Sequence, residues 1–189
     1  MTVVNPPPSA ATRVEAAGGL IRIAYIVYRF HMGGLERCVA RLCNHLDRNR
    51  FHPIVICVER NGDAADWIDR DDVPIIELRK EPRNDVGVVR RLARLLQSEH
   101  VDIVHSHNWG TLVESTLGRR WAGVSVHVHT EHGQEGHFAL AGLKRRLRGL
   151  ATRWALEQAD VVLACAESVR TQLHARCGFP VRRVRFVPN

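Results

Sequence analysis

The sequence predicts a doubly wound α/β domain over residues 21–189, a Rossmann-like parallel sheet with helices on both faces. Three observations carry this. Several short runs rich in Val and Ile are apolar almost without interruption, as strands buried on both faces are. Amphipathic stretches with helical spacing separate most of them. The composition, 45% hydrophobic and 25% charged over 189 residues, is that of a globular chain long enough to bury a core.

Each element has its own signature. Residues 1–20, with three consecutive prolines and a Gly-Gly pair, read as a flexible tail. "IRIAYIV" is the first strand, and "LERCVARLCNHL" follows with Leu35, Val39, Leu42 and Leu46 on one helical face. "PIVICV" and "VPIIEL" are the second and third strands, with a short helix near Ala64 to Asp69 between them. "VGVVRRLARLLQSEH" places Val88, Leu92, Leu95 and Leu96 together and leads into the strand "VDIVHSH". "TLVESTLGRRWAG" is helical, "VSVHVHT" a fifth strand and "ADVVLACA" a sixth. "ESVRTQLHARCG" is a helix stopped by Gly178, and "VRRVRFVPN" is the seventh strand.

Totals narrow the functional classes. The chain carries 27 Lys and Arg against 20 Asp and Glu, a net +7, which suits an anionic partner without choosing one. Nucleic acid is not expected, because no recognised binding motif accompanies the charge. Five scattered cysteines, with no Cys-x-x-Cys pair, are those of a reduced, cytoplasmic chain without a disulfide frame. No run approaches the ~20 apolar residues of a membrane span, and the N-terminus lacks a signal-peptide core.

In such sheets ligands sit beyond the carboxyl ends of the strands. Gly33 and Gly34 stand there, at the start of the first helix, where backbone N–H groups and the helix dipole favour a phosphate. Neither Gly-x-Gly-x-x-Gly nor a P-loop is present, so NAD and ATP hydrolysis lose support. Histidines crowd the fourth and fifth strand ends, in "HSHNWG" and "HVHTEHGQEGH". Residues i and i+2 of a strand share a face, so His105 with His107, and His127 with His129, have metal-ligand spacing. "HVHTEH" is similar to the ligand run of metallo-β-lactamase-like hydrolases. The remaining strand ends supply few further ligands, however, and no metal is expected. Without one, neutral histidines with Asn108, Trp109, Thr130, Glu131 and Gln134 form a hydrogen-bonding wall with an aromatic platform, suited to sugars, and His132 is placed to polarise a hydroxyl.

Several motifs converge on one family. "GGLERCVARL" resembles the Gly-Gly-x-Glu loop and first helix of the GT-B-fold, retaining glycosyltransferases of family 4. "DIVHSHNWGTLVESTLG" and "HVHTEHG" are similar to that family's fourth and fifth strand ends. "ADVVLACAESVRTQLHARCGFPVRRVRFVPN" resembles its last N-terminal-domain strands. The resemblance implies metal-independent transfer of a sugar from a nucleotide sugar to an acceptor hydroxyl, with retention. It implies that Gly33 and Gly34 bind the donor diphosphate and that His132 is the catalytic residue facing the sugar. His107, Asn108, Trp109, His129 and Glu131 are then the sugar- and acceptor-binding set. It also implies a second, nucleotide-binding domain that this chain lacks. A noncatalytic sugar- or anion-binding module is the alternative of a different class.

One further stretch concerns partners. Within residues 139–154, Leu140, Leu143, Leu147, Leu150 and Trp154 share a helical face, with Lys144, Arg145, Arg148 and Arg153 around the rest. Packing of that stripe on the sheet is the expected arrangement. Peripheral contact with anionic lipid at the inner membrane surface is the other.

Overall fold

The computed structural model describes residues 19–82, 85–133 and 142–188. The expected tail therefore lies almost wholly outside the described residues, as do Gln134, His137 and Leu140. Seven strands, β1 (Ile21–Val27), β2 (Phe51–Cys57), β3 (Ile75–Glu77), β4 (Ile103–His107), β5 (Val126–Glu131), β6 (Val161–Ala164) and β7 (Val184–Phe186), form one parallel sheet. Its order is β3-β2-β1-β4-β5-β6-β7, the doubly wound arrangement expected from the sequence. The chain builds leftward from β1, then returns beside it with β4 and builds rightward. β1 and β4 therefore flank the switch point, paired from Ile23↔Ile103 to Ile26↔Ser106.

Five α-helices are described: α1 (Gly34–His45), α2 (Gly87–Ser98), α3 (Trp109–Ala122), α4 (Gly142–Glu157) and α5 (Glu167–Cys177). The fully buried β1 segment Ala24 to Val27 splits between two cores, because alternate side chains leave a strand on opposite sides. Tyr25 and Val27 join Val39 and Cys43 of α1, whereas Ala24 and Ile26 join Leu92 and Leu96 of α2. A third cluster gathers Leu112 of α3, Leu156 of α4, Leu173 of α5 and Val184 of β7. The five cysteines are free, and burial pushes the Cys43 and Cys57 thiols up to about 12.

Differences from the sequence reading have local causes. The short helix between β2 and β3 is a 3-10 turn at Asp63–Trp67. β2 begins at Phe51 and includes Pro53, which a strand interior normally rejects. Val55 donates its N–H toward the β3 side, to Pro74, so the nitrogen two residues earlier points the same way, past the start of β3. Pro53 therefore costs no ladder bond. The seventh strand is shorter than expected, because Val181–Arg183 form a 3-10 turn before Val184.

The larger correction concerns α4. Thr152, Ala155 and Leu156 are its buried residues, and the leucine stripe faces the other way, with Leu143, Leu147 and Leu150 at 71%, 57% and 66% exposure. Packing on the sheet is thus not what the stripe does. The small Thr152 and Ala155 let α4 approach α3 closely, leaving no room for a leucine row between them.

A second close approach joins α3 to α2. A Cβ at Gly118 would stand 2.7 Å from Cδ2 and 2.9 Å from Cγ of Leu92, which is itself fully buried. Gly118→Val should lower the unfolding free energy by about 2 kcal/mol through overpacking. Urea unfolding checks this, and an unchanged midpoint would mean that the α2–α3 contact yields easily.

Candidate functional site at the switch point

The backbone sets the site before any side chain does. β1 leads into α1 through residues 28–33, and β4 leads into α3 through Asn108. Gly33, the N-cap of α1, is extended at φ −167°, so its glycine is not demanded by backbone strain. Space does not demand it either: a Cβ there would meet the Glu36 carboxylate in the helix's first turn, the far end of a flexible side chain that can swing away. A Cβ on Gly34 would meet nothing within 4 Å, which leaves a helix start open to a ligand.

The backbone strain at Asn108 is a feature that residue patterns did not show. The residue sits at φ 59°, ψ 165°, a region almost reserved for glycine. Its N–H donates to the Thr130 carbonyl (2.9 Å), and its Oδ1 accepts from the His132 N–H (2.8 Å). Its carbonyl accepts from both the backbone N–H and the Oγ1–H of Thr111, each at 3.2 Å. The strained residue is thus pinned between β5 and α3, and through Oδ1 it holds the backbone of His132. A short polar side chain at a β-to-α junction is the sequence signal that points to such a position.

Strand parity sorts the imidazoles into two groups. Ser106 pairs with His129 across β4 and β5, so Ser106, His127 and His129 share one face of the sheet. His105 and His107 take the other, stacked at 4.3 Å beside Tyr25. His127 Nε2 and His129 Nδ1 both contact Ser106 Oγ, at 2.8 and 2.9 Å, and His129 Nε2 faces Glu131 Oε2 at 3.5 Å. One hydroxyl proton and one carboxylate settle the directions. His129 donates from Nε2 to Glu131, Ser106 donates to His129 Nδ1, and His127 donates from Nε2 to Ser106. His127 Nδ1 is then a buried acceptor without a partner, in keeping with the geometry. Glu131 also faces Arg176 of α5 at 3.5 Å.

On the opposite face, His105 Nε2 lies 2.7 Å from Thr130 Oγ1, and His107 Nδ1 lies 3.0 Å from His132 Nε2. His107 Nε2 is buried with no partner, and a buried orphan N–H is costlier than an orphan lone pair. His107 therefore carries its proton on Nδ1 and donates it to His132, whose own proton sits on Nδ1. Burial, reinforced by neighbouring histidines, lowers the pKa of His105 to about 3 and of His127 to about 2. His107 falls well below its usual value for the same reasons. His132 falls to about 4, burial outweighing the Glu131 charge that pulls the other way. His105, His107, His127 and His132 are therefore neutral at pH 7.

The expected wall is thus partly assembled. Asn108 and His132 come together at the switch point, with Gly33 and Gly34 at the neighbouring strand end, while His107, 1% exposed, lies beneath His132 rather than on the wall. His129 and Glu131 stand behind them, 0% and 2% exposed, because their strand parity turns them toward α3. Trp109 leaves the wall altogether. Its indole N–H donates to Thr152 Oγ1 (2.7 Å), and Arg148 covers its ring at 3.4 Å, so its face is occupied by α4. The two histidine pairs of metal-ligand spacing lie on opposite faces, and among the described residues no three His, Cys, Asp or Glu side chains converge as a metal site would need. A cavity of about 660 Å³, which the sequence reading did not single out, opens at the ends of β1 to β3, lined by Tyr28, Arg29, Glu59, Arg60, Arg79 and Lys80 among others. Its only sequence signal is the run of charges after the second and third strands.

The sheet order and this strand-end site define the Rossmann-like N-terminal half of a GT-B glycosyltransferase architecture. The chain belongs to glycosyltransferase family 4, whose model matches residues 32–189. It is 31% identical over 139 residues to the UDP-Gal:alpha-D-GlcNAc-diphosphoundecaprenol alpha-1,3-galactosyltransferase of Escherichia coli, a match covering 71% of this chain and 34% of that protein. Among solved structures it resembles the lipopolysaccharide outer core galactosyltransferase WaaB (TM-score 0.61, 17% identity, 89% of this chain and 46% of that one). It also resembles MurG of Acinetobacter baumannii (TM-score 0.53, 13% identity, 79% and 42%). At such identities the structural likenesses speak to the fold. The chain spans less than half the length of these relatives.

Two outcomes follow from the site. Below pH 6.5 the unfolded chain protonates His105, His107, His127 and His132 while the native state does not, so stability is present above that pH and is lost as pH falls toward about 4. The slope approaches roughly 1.4 kcal/mol per pH unit for each histidine. Thermal melts at successive pH values test this, and a Tm flat across the window would contradict the buried neutral cluster. Asn108→Ala should cost about 2 kcal/mol through the lost Oδ1 bond and retained strain, and Asn108→Gly about 1 kcal/mol less. Equal losses in the two variants would show that the backbone there is relaxed.

Proposed function

We propose that this domain is the acceptor-side half of a retaining glycosyltransferase that moves a sugar from a nucleotide sugar to an acceptor hydroxyl in glycan or glycolipid biosynthesis. One observation carries the reading: a helix start opened by Gly33 and Gly34 and the Asn108-held His107–His132 pair stand at the strand ends flanking a single switch point. The family supplies the reaction class.

The roles follow from the chemistry of the groups. The donor diphosphate sits against the first-turn N–H groups of α1, which stabilise the charge that grows as the anomeric C–O bond breaks. A second, nucleotide-binding domain adds basic side chains on the other side. His132, neutral and with its proton on Nδ1, offers a hydrogen bond to a sugar hydroxyl and adds no positive charge. His107 fixes that tautomer and Asn108 fixes the backbone, both as positioning residues. No metal is assigned a step. The galactosyltransferase relative's name describes a lipid-diphosphate acceptor and an α linkage, which supports retention and a lipid-linked acceptor here. No described helix is long and apolar enough to cross a membrane, in keeping with a cytoplasmic chain working at the inner membrane surface. The charged cavity at the ends of β1 to β3 gives the acceptor's head group a place.

The test uses the natural gene product that carries these residues, a panel of radiolabelled nucleotide sugars and a sugar-diphosphate-lipid acceptor. Label should pass to the lipid, and His132→Ala should lower turnover by about 10²–10⁴-fold while the donor KM changes much less. Donor binding without transfer to any acceptor would instead make the protein a sugar-binding module. Unchanged turnover in the variant would remove His132 from the reaction.

A further inference from the structure

The outer face of α4 is apolar, and no element among the described residues covers it. Leu143, Leu147, Leu150 and Trp154 recur at intervals of four, three and four residues, 71%, 57%, 66% and 39% exposed. They form a row about 16 Å long at 1.5 Å per residue. Thr152, Ala155 and Leu156 hold the opposite side of the same helix against the domain. Lys144, Arg146 and Arg153 are exposed along the flanks of the row, and Glu157, paired with Arg153 at 2.9 Å, is the only acidic residue in the helix.

We propose that this face of α4 seats the domain on an anionic lipid bilayer, with the leucines and Trp154 in the acyl boundary and the cations at the headgroup phosphates. Charge decides the occupant. A second copy packed on the same row would bring two sets of cations together with only Glu157 to offset them, which like-charge repulsion opposes. An anionic interface satisfies both the apolar row and its basic flanks. Trp154, with an apolar ring and an indole N–H, is the aromatic type that settles at such interfaces.

The helix is also coupled to the strand-end site. Arg148 covers the Trp109 ring at 3.4 Å, and Thr152 accepts the Trp109 N–H, so α4 is anchored to the residue that follows Asn108. A seated α4 therefore holds the rim of the histidine cleft near the headgroup layer. This deepens the lipid-linked acceptor reading, but its evidence is the exposed face itself, and its test needs no activity.

The measurement is co-sedimentation of the 189-residue chain with vesicles of phosphatidylcholine plus phosphatidylglycerol, against vesicles of phosphatidylcholine alone. Binding should favour the anionic vesicles and weaken as salt rises. Leu147→Glu/Leu150→Glu should lower the partition coefficient at least about tenfold, with the far-UV spectrum and Tm unchanged because both positions are exposed. Brominated lipid should quench tryptophan emission in the wild type, and Trp154→Phe should remove most of that quenching while the chain still binds. No binding to anionic vesicles, equal binding to neutral ones, or undiminished binding of the double-Glu variant would overturn the proposal. Self-association without vesicle binding, abolished by the same variant, would give the face to a second copy. In each of these cases the transferase reading stands or falls separately, on label transfer.

Discussion

The register of β4 against β5, with Ser106 opposite His129, decides what every imidazole in the sheet can do. With that pairing, Ser106 is clasped by His127 and His129 on the α3 side, while His105 and His107 stack toward Tyr25, His105 reaching Thr130 and His107 reaching His132. A slip of one residue would exchange the faces, leave three buried polar groups without partners and remove the support of His132. The register is protected on both sides of the pair. Asn108 donates to the Thr130 carbonyl across β4 and β5, and on its other side β5 is tied to the start of β6 by the His127 N–H, which donates to Asp160 at 2.7 Å.

From that constraint follows the electrostatic character of the site. Burial keeps His105, His107, His127 and His132 neutral, since a proton on any of them would be poorly solvated. A neutral, directionally ordered set of imidazoles suits the recognition of hydroxyl groups. Glu131 lies on the far side from His105 and His107, held by His129 and Arg176, and its pull on His132 is outweighed by burial. The strain at Asn108 belongs to the same scheme. A β-to-α junction that must bond β5, α3 and the backbone of His132 at once has little freedom left for its own dihedrals.

α4 shows how one helix can be amphipathic in two senses. Its packed face is small and mixed, Thr152 with Ala155 and Leu156, whereas its conspicuous leucine row is the side turned away from the domain. A periodicity of 3.6 identifies a helix and its stripes but carries no label saying which stripe meets the core. Close approach to α3, set by small residues and by the Trp109–Thr152 bond, decided that question here.

The sequence by itself determined the doubly wound class, the order of strands and helices, the placing of Gly33, Gly34 and the histidines at strand ends, and the family. Those features are local: they depend on runs, periods and motifs read along the chain. Tertiary structure alone decided which histidines lie on which face, since facing depends on pairing with a neighbouring strand. It also withdrew Trp109 and His129 from the ligand wall, placed strain at Asn108 and turned the leucines of α4 outward. Each of these outcomes depends on residues far apart in the chain, Ser106 with His129, Trp109 with Thr152, Asn108 with His132, and such proximity is set only when the sheet closes around its switch point.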